Sequence, residues 1–361
     1  MNFRGSREIG VALAALALAI NYSPWIQQRL LSQPAAQAAS VQTSQMAERL
    51  LIPGGQAVGV ALHTRGVLVV AKAQDGSPDA LRVGDVILTV GGEQVESAKQ
   101  LAELVDAHQA ETVALGVQRG GRQMVVQAAT RMDEADGRRR LGIWVRDSTA
   151  GVGTLSYVDP ETGAYGALGH AIVDADTGDL LDVQDGAIMN ASVVGVTRGG
   201  NGKAGELRGS FLRENEQIGT LETNGAYGIY GRMNGELCDV LYPEGLPVGT
   251  RTQVHTGPAT IIATVDDDGP CEYAVEIVRC FAQSEPGSKG MILRVTDEAL
   301  LARTGGIVQG MSGSPIIQEG RLVGAVTHVY LNDSTQGYGM YIEWMLRQSD
   351  TLAADGRELA A

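Results

Sequence analysis

The sequence is poor in aromatic residues. Its 361 residues include only 3 tryptophans, 3 phenylalanines and 10 tyrosines, against 48 glycines. Few aromatics, together with many Gly, Val, Ile and Thr, disfavour a helix bundle and favour short strands joined by tight turns. The chain is 44% hydrophobic, so it can bury a sizeable core, and its length suggests two or three domains.

Cysteine is also scarce, and Cys238, Cys271 and Cys280 form no C-x-x-C pair. A zinc ribbon is therefore not predicted. Cys271 and Cys280 flank the run EYAVEIVR. If this run is one strand, its ends lie roughly 30 Å apart, too far for a disulfide. We expect cysteines without a redox function, and the sequence has no motif for a metal or another cofactor.

Positive charge is in the minority, because 28 basic residues stand against 42 acidic ones. The net charge of −14 gives a surface that repels a phosphate backbone. The sequence therefore predicts no nucleic-acid partner.

The apolar run from Ile9 to Ile20 follows two arginines and is short for a membrane span. An A-x-A match at Ala36-Gln37-Ala38 lies rather far from it. Residues 1–31 are interpreted as either an export signal or a retained membrane anchor, and residues 32–50 as a tether rich in Ala, Gln and Ser. In both cases the remainder of the chain is expected to be exported across a membrane.

Residues 51–130 alternate strand-like runs with glycine turns around one amphipathic helix, Ser97 to Ala107. Their stretch GSPDALRVGDVILTVGGEQV resembles a PDZ domain, an α+β module that binds an extended peptide at a sheet edge. The resemblance places Gly54-Gly55 in the carboxylate-binding loop, although this loop departs from the common G-L-G-F form. It implies a peptide-binding groove strand made of Gly59, Val60, Ala61 and Leu62. Residues 131–140 are interpreted as a solvated linker.

Residues 141–350 carry many short apolar runs separated by turns, which predict a barrel or a sandwich. Residues 351–361 are left as a C-terminal tail. Near the end of this domain stands GMSGSPII, then a turn and Leu-Val-Gly, which is similar to the G-D-S-G-G-P region of chymotrypsin-like serine proteases. Met311 replaces the Asp that pairs with a new N-terminal amine in the trypsin-like branch, so that ion pair is not the activating switch here.

The serine of this motif, Ser312, is the candidate nucleophile. The glycines beside it allow a sharp turn, so the N–H groups of Gly310 and Ser312 are the candidate oxyanion hole. By the same resemblance, Gly306 lies near the floor of the specificity pocket. The strand that pairs with the substrate backbone would be Thr327, His328 and Val329.

A nucleophilic serine needs a base and an orienting carboxylate. Of the five histidines, His170 is predicted as the base, because it precedes the serine in the chymotrypsin-like order. The residues alone leave the carboxylate open. The candidates are Asp297 and the acidic turn after the histidine, which contains Asp174, Asp176, Asp179 and Asp182.

The chain as a whole resembles the SpoIVB signalling peptidases of endospore-forming bacteria, in which a membrane-targeting segment, a PDZ domain and a serine protease domain follow in that order. The resemblance is carried by PGGQAVGVALHTRGVLVV, GALGHAI, VTDEALLARTGGIVQGMSGSPIIQEGRLVGAVTHVYLND and GYGMYIEWML. It implies a mainly β fold, with a chymotrypsin-like β-barrel protease after the PDZ domain. It also implies the catalytic set His170, Asp297 and Ser312.

The resemblance further implies a location and partners. Family members are exported across the forespore membrane into the intermembrane space. There they cleave themselves and a membrane-bound inhibitor of an intramembrane metalloprotease, which triggers activation of a late mother-cell sigma factor. Two other interpretations stay open: a tethered PDZ adaptor with an inactive protease-like domain, and a general envelope quality-control protease.

Overall fold

A computed structural model of the chain describes residues 46, 48–73, 80–200, 202–210, 217–330 and 333–358, with side chains up to residue 351. The predicted signal or anchor and most of the tether lie outside these residues. Among the described residues, no helix has both the length and the apolar character needed to cross a membrane. The following description concerns the unit from Leu50 onwards.

Two strands, both 16 residues long, organise this unit: β2, Ala57–Lys72, and β9, Ile143–Val158. They pair antiparallel over residues 57–72 of β2 and 143–154 of β9, with register irregularities after His63 and Val69. The preceding strand and those between them are β1 Leu50–Pro53, β3 Val86–Val90, β4 Glu93–Gln94, β5 Thr112–Arg119, β6 Arg122–Ala129, β7 Arg131–Met132 and β8 Arg139–Arg140.

One end of these two long strands belongs to the PDZ module, and the other end belongs to the protease. The C-terminal end of β2 pairs with β3, which continues to β5 and β6, while helix α1, Ala98–Ala107, packs near them. Ser97 caps the helix by accepting from the Gln100 N–H, so the predicted helix is confirmed. A separate hydrophobic core fills this PDZ module, with Val67, Ile87, Leu101 and Leu115 among its buried residues.

The other ends of β2 and β9 belong to the first barrel of the protease. The strands that follow β9 are β10 Ala164–Ala167, β11 Val183–Asn190, β12 Ser192–Thr197, β13 Glu206–Ser210, β14 Gln217–Thr220, β15 Thr223–Gly225, β16 Gly228–Arg232 and β17 Leu246–Pro247. On one side, pairing runs from β2 through β9 and β10 to β16. On the other side, it runs from β2 through β11 to β14. A bridge between Gly219 and Met233 joins the two ends of this ring.

The second barrel is closed in the order β18-β19-β20-β23-β22-β21. Its strands are β18 Gly257–Thr264, β19 Pro270–Cys280, β20 Met291–Val295, β21 Pro315–Gln318, β22 Arg321–Val329 and β23 Gln336–Tyr341. Helix α2, Glu298–Thr304, precedes the serine turn, and helix α3, Ile342–Glu358, contacts β22 of this barrel and β10 of the first. The expected mainly β fold, with a barrel protease and a PDZ domain, is confirmed.

The segments expected as the PDZ domain and the protease domain, 51–130 and 141–350, share the two long strands. Residues 57–64 of β2 lie in the protease barrel between β9 and β11, not in the PDZ module. Residues 143–146 of β9 pair with the PDZ part of β2, although they were assigned to the protease domain. Each of these strands contributes to both hydrophobic cores, so the pairing crosses the expected bounds, which stay a prediction.

All three cysteines are free thiols. Cys271 and Cys280 lie on the single strand β19, as expected from the run between them.

Candidate active site

The serine turn lies between α2 and β21 and is fastened to both barrels. Gly310 has φ +97° and Gly313 has φ +100°, in the left-handed region that favours glycine. A Cβ on Gly313 would lie 2.1 Å from the Thr154 carbonyl oxygen, so no larger residue fits there. The Thr154 N–H donates to the Ser312 carbonyl at 3.0 Å, and its hydroxyl donates to the Gly310 carbonyl at 2.7 Å. β9 of the first barrel therefore holds the turn that carries the serine of the second.

The predicted oxyanion donors are unengaged. Among the described residues, neither the Gly310 N–H nor the Ser312 N–H has a hydrogen-bond acceptor. The Gly313 N–H, in contrast, donates to the Val326 carbonyl of β22. Two free N–H groups on either side of Met311 are the arrangement that can receive an oxyanion.

The Ser312 hydroxyl donates to the Thr327 carbonyl at 3.0 Å. A hydroxyl has one proton to donate. In this arrangement that proton is directed to the substrate strand and not to His170.

His170 lies in the loop between β10 and β11 and is half-buried. Its Nδ1 lies 2.9 Å from the Ala171 carbonyl oxygen. Since a carbonyl only accepts, Nδ1 carries the proton and Nε2 of the neutral ring keeps its lone pair. A backbone carbonyl thus fixes the tautomer that a general base requires.

The side chain of Asn224, on β15, holds the loop after His170 in place. Its amide oxygen accepts from the Ile172 N–H at 2.8 Å, and its amide nitrogen donates to the carbonyls of Ile172 and Leu181. Asn224 is buried and makes three hydrogen bonds across the loop. Sequence reasoning missed it, since a lone Asn in a TNG turn carries no catalytic signal.

One cleft of about 610 Å³ brings the predicted catalytic residues together. His170, Ser312, Gly310 and His328 line it, opposite the β9 segment of residues 149–152. The sequence prediction that His170 and Ser312 meet therefore agrees with their placement.

Asp297 is not brought to this cleft. Its carboxylate caps α2, accepting from the Leu300 N–H at 2.9 Å, and its other oxygen accepts from the Ala274 N–H at 3.4 Å. Nothing joins it to His170 among the described residues. This placement departs from the role implied by resemblance, in which Asp297 orients the histidine: here Asp297 is a helix cap.

The acidic turn after His170 does not supply an orienting carboxylate either. Asp174 is fully buried and pairs with Arg146 of β9, which also binds Asp176 at 2.8 Å. Burial works to raise the pKa of Asp174, but bonds from the N–H groups of Thr177 and Asp176 and the charge of Arg146 outweigh it and lower the pKa. The remaining two, Asp179 and Asp182, likewise make no contact with His170 among the described residues. The ion pairs of Arg146 with Asp174 and Asp176 form a clamp that ties the His170 loop to β9.

The predicted substrate strand forms the end of β22. His328 pairs in register with Tyr338 of β23, and the Thr327 side chain is buried. The His170 and His328 rings lie 5.7 Å apart. Desolvation, then the neighbouring His170 and Lys289, lower the pKa of His328, which keeps this ring neutral near pH 7.

The predicted groove strand of the PDZ domain is wrong. Gly59, Val60, Ala61 and Leu62 lie in the first barrel, paired with β11 on one side and β9 on the other. With both edges occupied, this segment has no free backbone to which a peptide could add as a strand. Gly54-Gly55 also lies there, against Leu155 and Ile262.

A different groove is open in the PDZ module. It lies between α1, at Leu101 and Val105, and the segment Arg139 to Val145. β9 pairs with β2 on one side over Ile143–Arg146, and no described strand pairs with its other edge there. The residues taken for a solvated linker therefore begin a groove wall, and the missed signal was Leu141-Gly142-Ile143, which keeps the L-G-hydrophobic pattern of a carboxylate loop.

Comparisons with known proteins agree with this architecture. The model of the family described as SpoIVB peptidase S55 matches residues 137–346, more than half of the chain. A PDZ domain model matches residues 69–119. No curated protein sequence matches the chain.

Solved structures are similar in part. The PDZ domain of the SdrC-like protein from Listeria monocytogenes is 22% identical, with a TM-score of 0.21, over 22% of this chain and 87% of that chain. The active form of the Rv3671c protease from M. tuberculosis is 14% identical, with a TM-score of 0.30, over 55% of this chain and 73% of that chain. The inactive form of that protease is 12% identical, with a TM-score of 0.31, over 55% and 82%.

Proposed function

This chain belongs to the SpoIVB peptidase S55 family and is a serine peptidase with a PDZ domain, and on that premise we propose the finer role of a signalling endopeptidase. It cleaves itself and a membrane-bound regulatory protein in the intermembrane space of the forespore. That cleavage relieves an intramembrane metalloprotease of its inhibitor and leads to activation of a late mother-cell sigma factor. The N-terminal segment exports the enzyme or anchors it in the membrane.

The observation that carries the catalytic part is the shared cleft of Ser312 and His170, with two free N–H groups beside the serine. Nε2 of His170 takes the proton of Ser312 as its oxygen attacks the substrate carbonyl, and the N–H groups of Gly310 and Ser312 bind the oxyanion. His170 then protonates the leaving amine, and water releases the acyl group.

Substrate binding provides a way to free the serine. The Ser312 hydroxyl is bonded to the Thr327 carbonyl in the free enzyme. A substrate backbone that adds to Thr327–Val329 donates an N–H to the same carbonyl and competes with the hydroxyl for it. The serine proton then becomes available to His170.

The PDZ groove between α1 and β9 is where we propose that a second segment of protein is held. β9 lines this groove with residues 143 and 145, and it lines the catalytic cleft with residues 149–152. A peptide bound at one end of the strand therefore lies on the same rigid element as the cleft, which favours targeting of selected proteins over broad digestion.

The direct test is paired expression of the full chain and its Ser312→Ala variant, with fragments sized by mass spectrometry. We expect shortening of the wild type alone, since the variant keeps the cleft but lacks the nucleophile. Equal shortening of both chains would contradict self-cleavage through Ser312. If both stay intact while the groove still binds peptide, the adaptor interpretation replaces the peptidase one.

A further inference from the structure

A cationic and aromatic surface borders the catalytic cleft on the side of the substrate strand. The Lys289 ammonium lies 4.8 Å from the centre of the Tyr338 ring, and Tyr338 is the cross-strand partner of His328. Directly paired residues project from the same face of a sheet, so these side chains lie side by side. Tyr330 joins them, with its ring 5.7 Å from that of Tyr338. We call Lys289, His328, Tyr330 and Tyr338 the Lys289 surface.

The loop that carries Lys289 is fixed in this position. The Thr327 hydroxyl donates to the Ser288 carbonyl at 2.8 Å, and the Gly290 N–H donates to the Gly339 carbonyl at 2.8 Å. Hydrogen bonds on both sides of Lys289 thus tie its backbone to β22 and β23. The fold therefore sets the backbone position of Lys289, and its exposed side chain lies over the Tyr338 ring.

The positive charge of Lys289 is not neutralised. No carboxylate of the described residues lies within 4.0 Å of its ammonium, whereas Arg146 on β9 and Arg294 on β20 each have a carboxylate partner. In a chain with a net charge of −14, an exposed cation over Tyr338, the cross-strand partner of His328, can attract an acidic side chain of a substrate.

The Lys289 surface lies where the substrate residues before the scissile bond would run. His328 and Ser288 line the same cleft as Ser312, and the Ser312 hydroxyl contacts the carbonyl of Thr327, next to His328. A peptide extended along Thr327–Val329 places side chains against this face. The lysine ammonium can bind a carboxylate there, and the neutral His328 ring can add a hydrogen bond.

We propose that the Lys289 surface is a specificity subsite that accepts an acidic side chain, Asp or Glu, at a substrate position two to four residues before the cleaved bond. This inference rests on the proposed function, because it assigns a substrate preference to the same cleft. Its structural basis is the Lys289 ammonium, which has no carboxylate partner among the described residues and lies over Tyr338, the cross-strand partner of His328.

The test uses the full-length wild type, Lys289→Gln and Lys289→Glu on a library of proteome-derived peptides, with cut sites read by mass spectrometry. Matched peptides with Glu, Gln or Lys at the enriched position then give kcat/KM. We expect about a tenfold preference for Glu over Gln in the wild type, its loss in Lys289→Gln, and a preference for Lys in Lys289→Glu. The control is Arg122→Glu, an equal charge change on the PDZ hairpin, which should keep the wild-type preference.

Two outcomes separate this proposal from the peptidase function. Cleavage without an acidic preference, or a preference unchanged in both Lys289 variants, overturns the subsite while the peptidase stands. If the wild type cuts no peptide, the peptidase function is contradicted, and the subsite is judged by binding of the Glu and Gln peptides to Ser312→Ala. Equal binding of these two peptides overturns it.

Discussion

At the scale of single residues, the cleft uses a backbone group where a carboxylate was expected. The Ala171 carbonyl receives the Nδ1 proton of His170, which sets the tautomer of the base. A carbonyl dipole stabilises the imidazolium formed during catalysis less than a full negative charge does. The sequence could suggest His170 and Ser312 from their order and their neighbours, but not this bond, because every residue has a carbonyl.

The first prediction concerns Asp297, whose two possible roles respond differently to substitution. As a helix cap it can be replaced by Asn, which also caps well, while Ala costs about 1 kcal/mol of unfolding free energy. We therefore expect Asp297→Asn to keep kcat within a few-fold and to melt like the wild type. Kinetics on a cleaved peptide and thermal unfolding check this.

The contrary result would also be informative. A loss of about 10⁴ in kcat for Asp297→Asn, with unchanged melting, is the signature of a catalytic acid. It would mean that Asp297 moves to His170 in the working enzyme, and the cap described here would then be a resting arrangement.

At the scale of elements, the loop after His170 is held by β9. Arg146 is on this strand, and its guanidinium binds buried Asp174 and exposed Asp176 of the loop. The sequence showed the acidic turn but not its partner, since Arg146 lies 28 positions away from Asp174 and only the strand pairing brings them together. β9 also lines the PDZ groove, so the Arg146 clamp joins one wall of that groove to the loop that carries His170.

The second prediction is that Arg146→Met destabilises the chain and lowers its activity. The substitution leaves the Asp174 carboxylate buried with backbone donors alone, which costs about 2 kcal/mol of unfolding free energy. Loosening of the His170 loop should lower kcat more than it raises KM. The matched control is Arg65→Met. The ion pair of Arg65 with Asp182 is exposed to solvent, and such pairs contribute about 0–1 kcal/mol to the free energy of unfolding.

The third prediction concerns how the stability difference between the wild type and Arg146→Met depends on pH. The pKa of Asp174 is lowered in the folded chain, so its charged form contributes stability that is complete above the unfolded value of about 3.9. This contribution is lost as the pH falls through the folded pKa. Chemical unfolding at several pH values should show a constant gap between wild type and Arg146→Met from about pH 5 to 8, narrowing below about pH 4. A gap that widens in acid would contradict the clamp.

At the scale of the whole molecule, the PDZ and protease parts share their longest strands. The sequence predicted both parts correctly, because turn motifs and strand runs are local signals. It placed all of β2 in the PDZ segment, whereas this strand continues from one core into the other through the polar residues 63–65. It also misplaced the groove, since which strand edges stay free depends on long-range pairing that no local pattern encodes.

The fourth prediction tests whether the protease can fold without β2, the strand that it shares with the PDZ module. A fragment that begins at Arg131 contains all of the family match at residues 137–346 but lacks β2, the strand between β9 and β11. We expect it to be unfolded or aggregated, because an opened barrel exposes backbone edges and core residues. A fragment that begins at Glu48 should melt cooperatively, as judged by circular dichroism. A cooperative melt of the shorter fragment would show that the protease is a separable domain.

The central claim, that Ser312 is the nucleophile and His170 its base, is tested most directly by reaction with a fluorophosphonate, followed by peptide mapping. We expect one adduct per chain on Ser312, and a much slower reaction of the His170→Ala variant, which keeps the serine but lacks the base. Labelling of another serine, or equal rates in wild type and His170→Ala, would contradict the account.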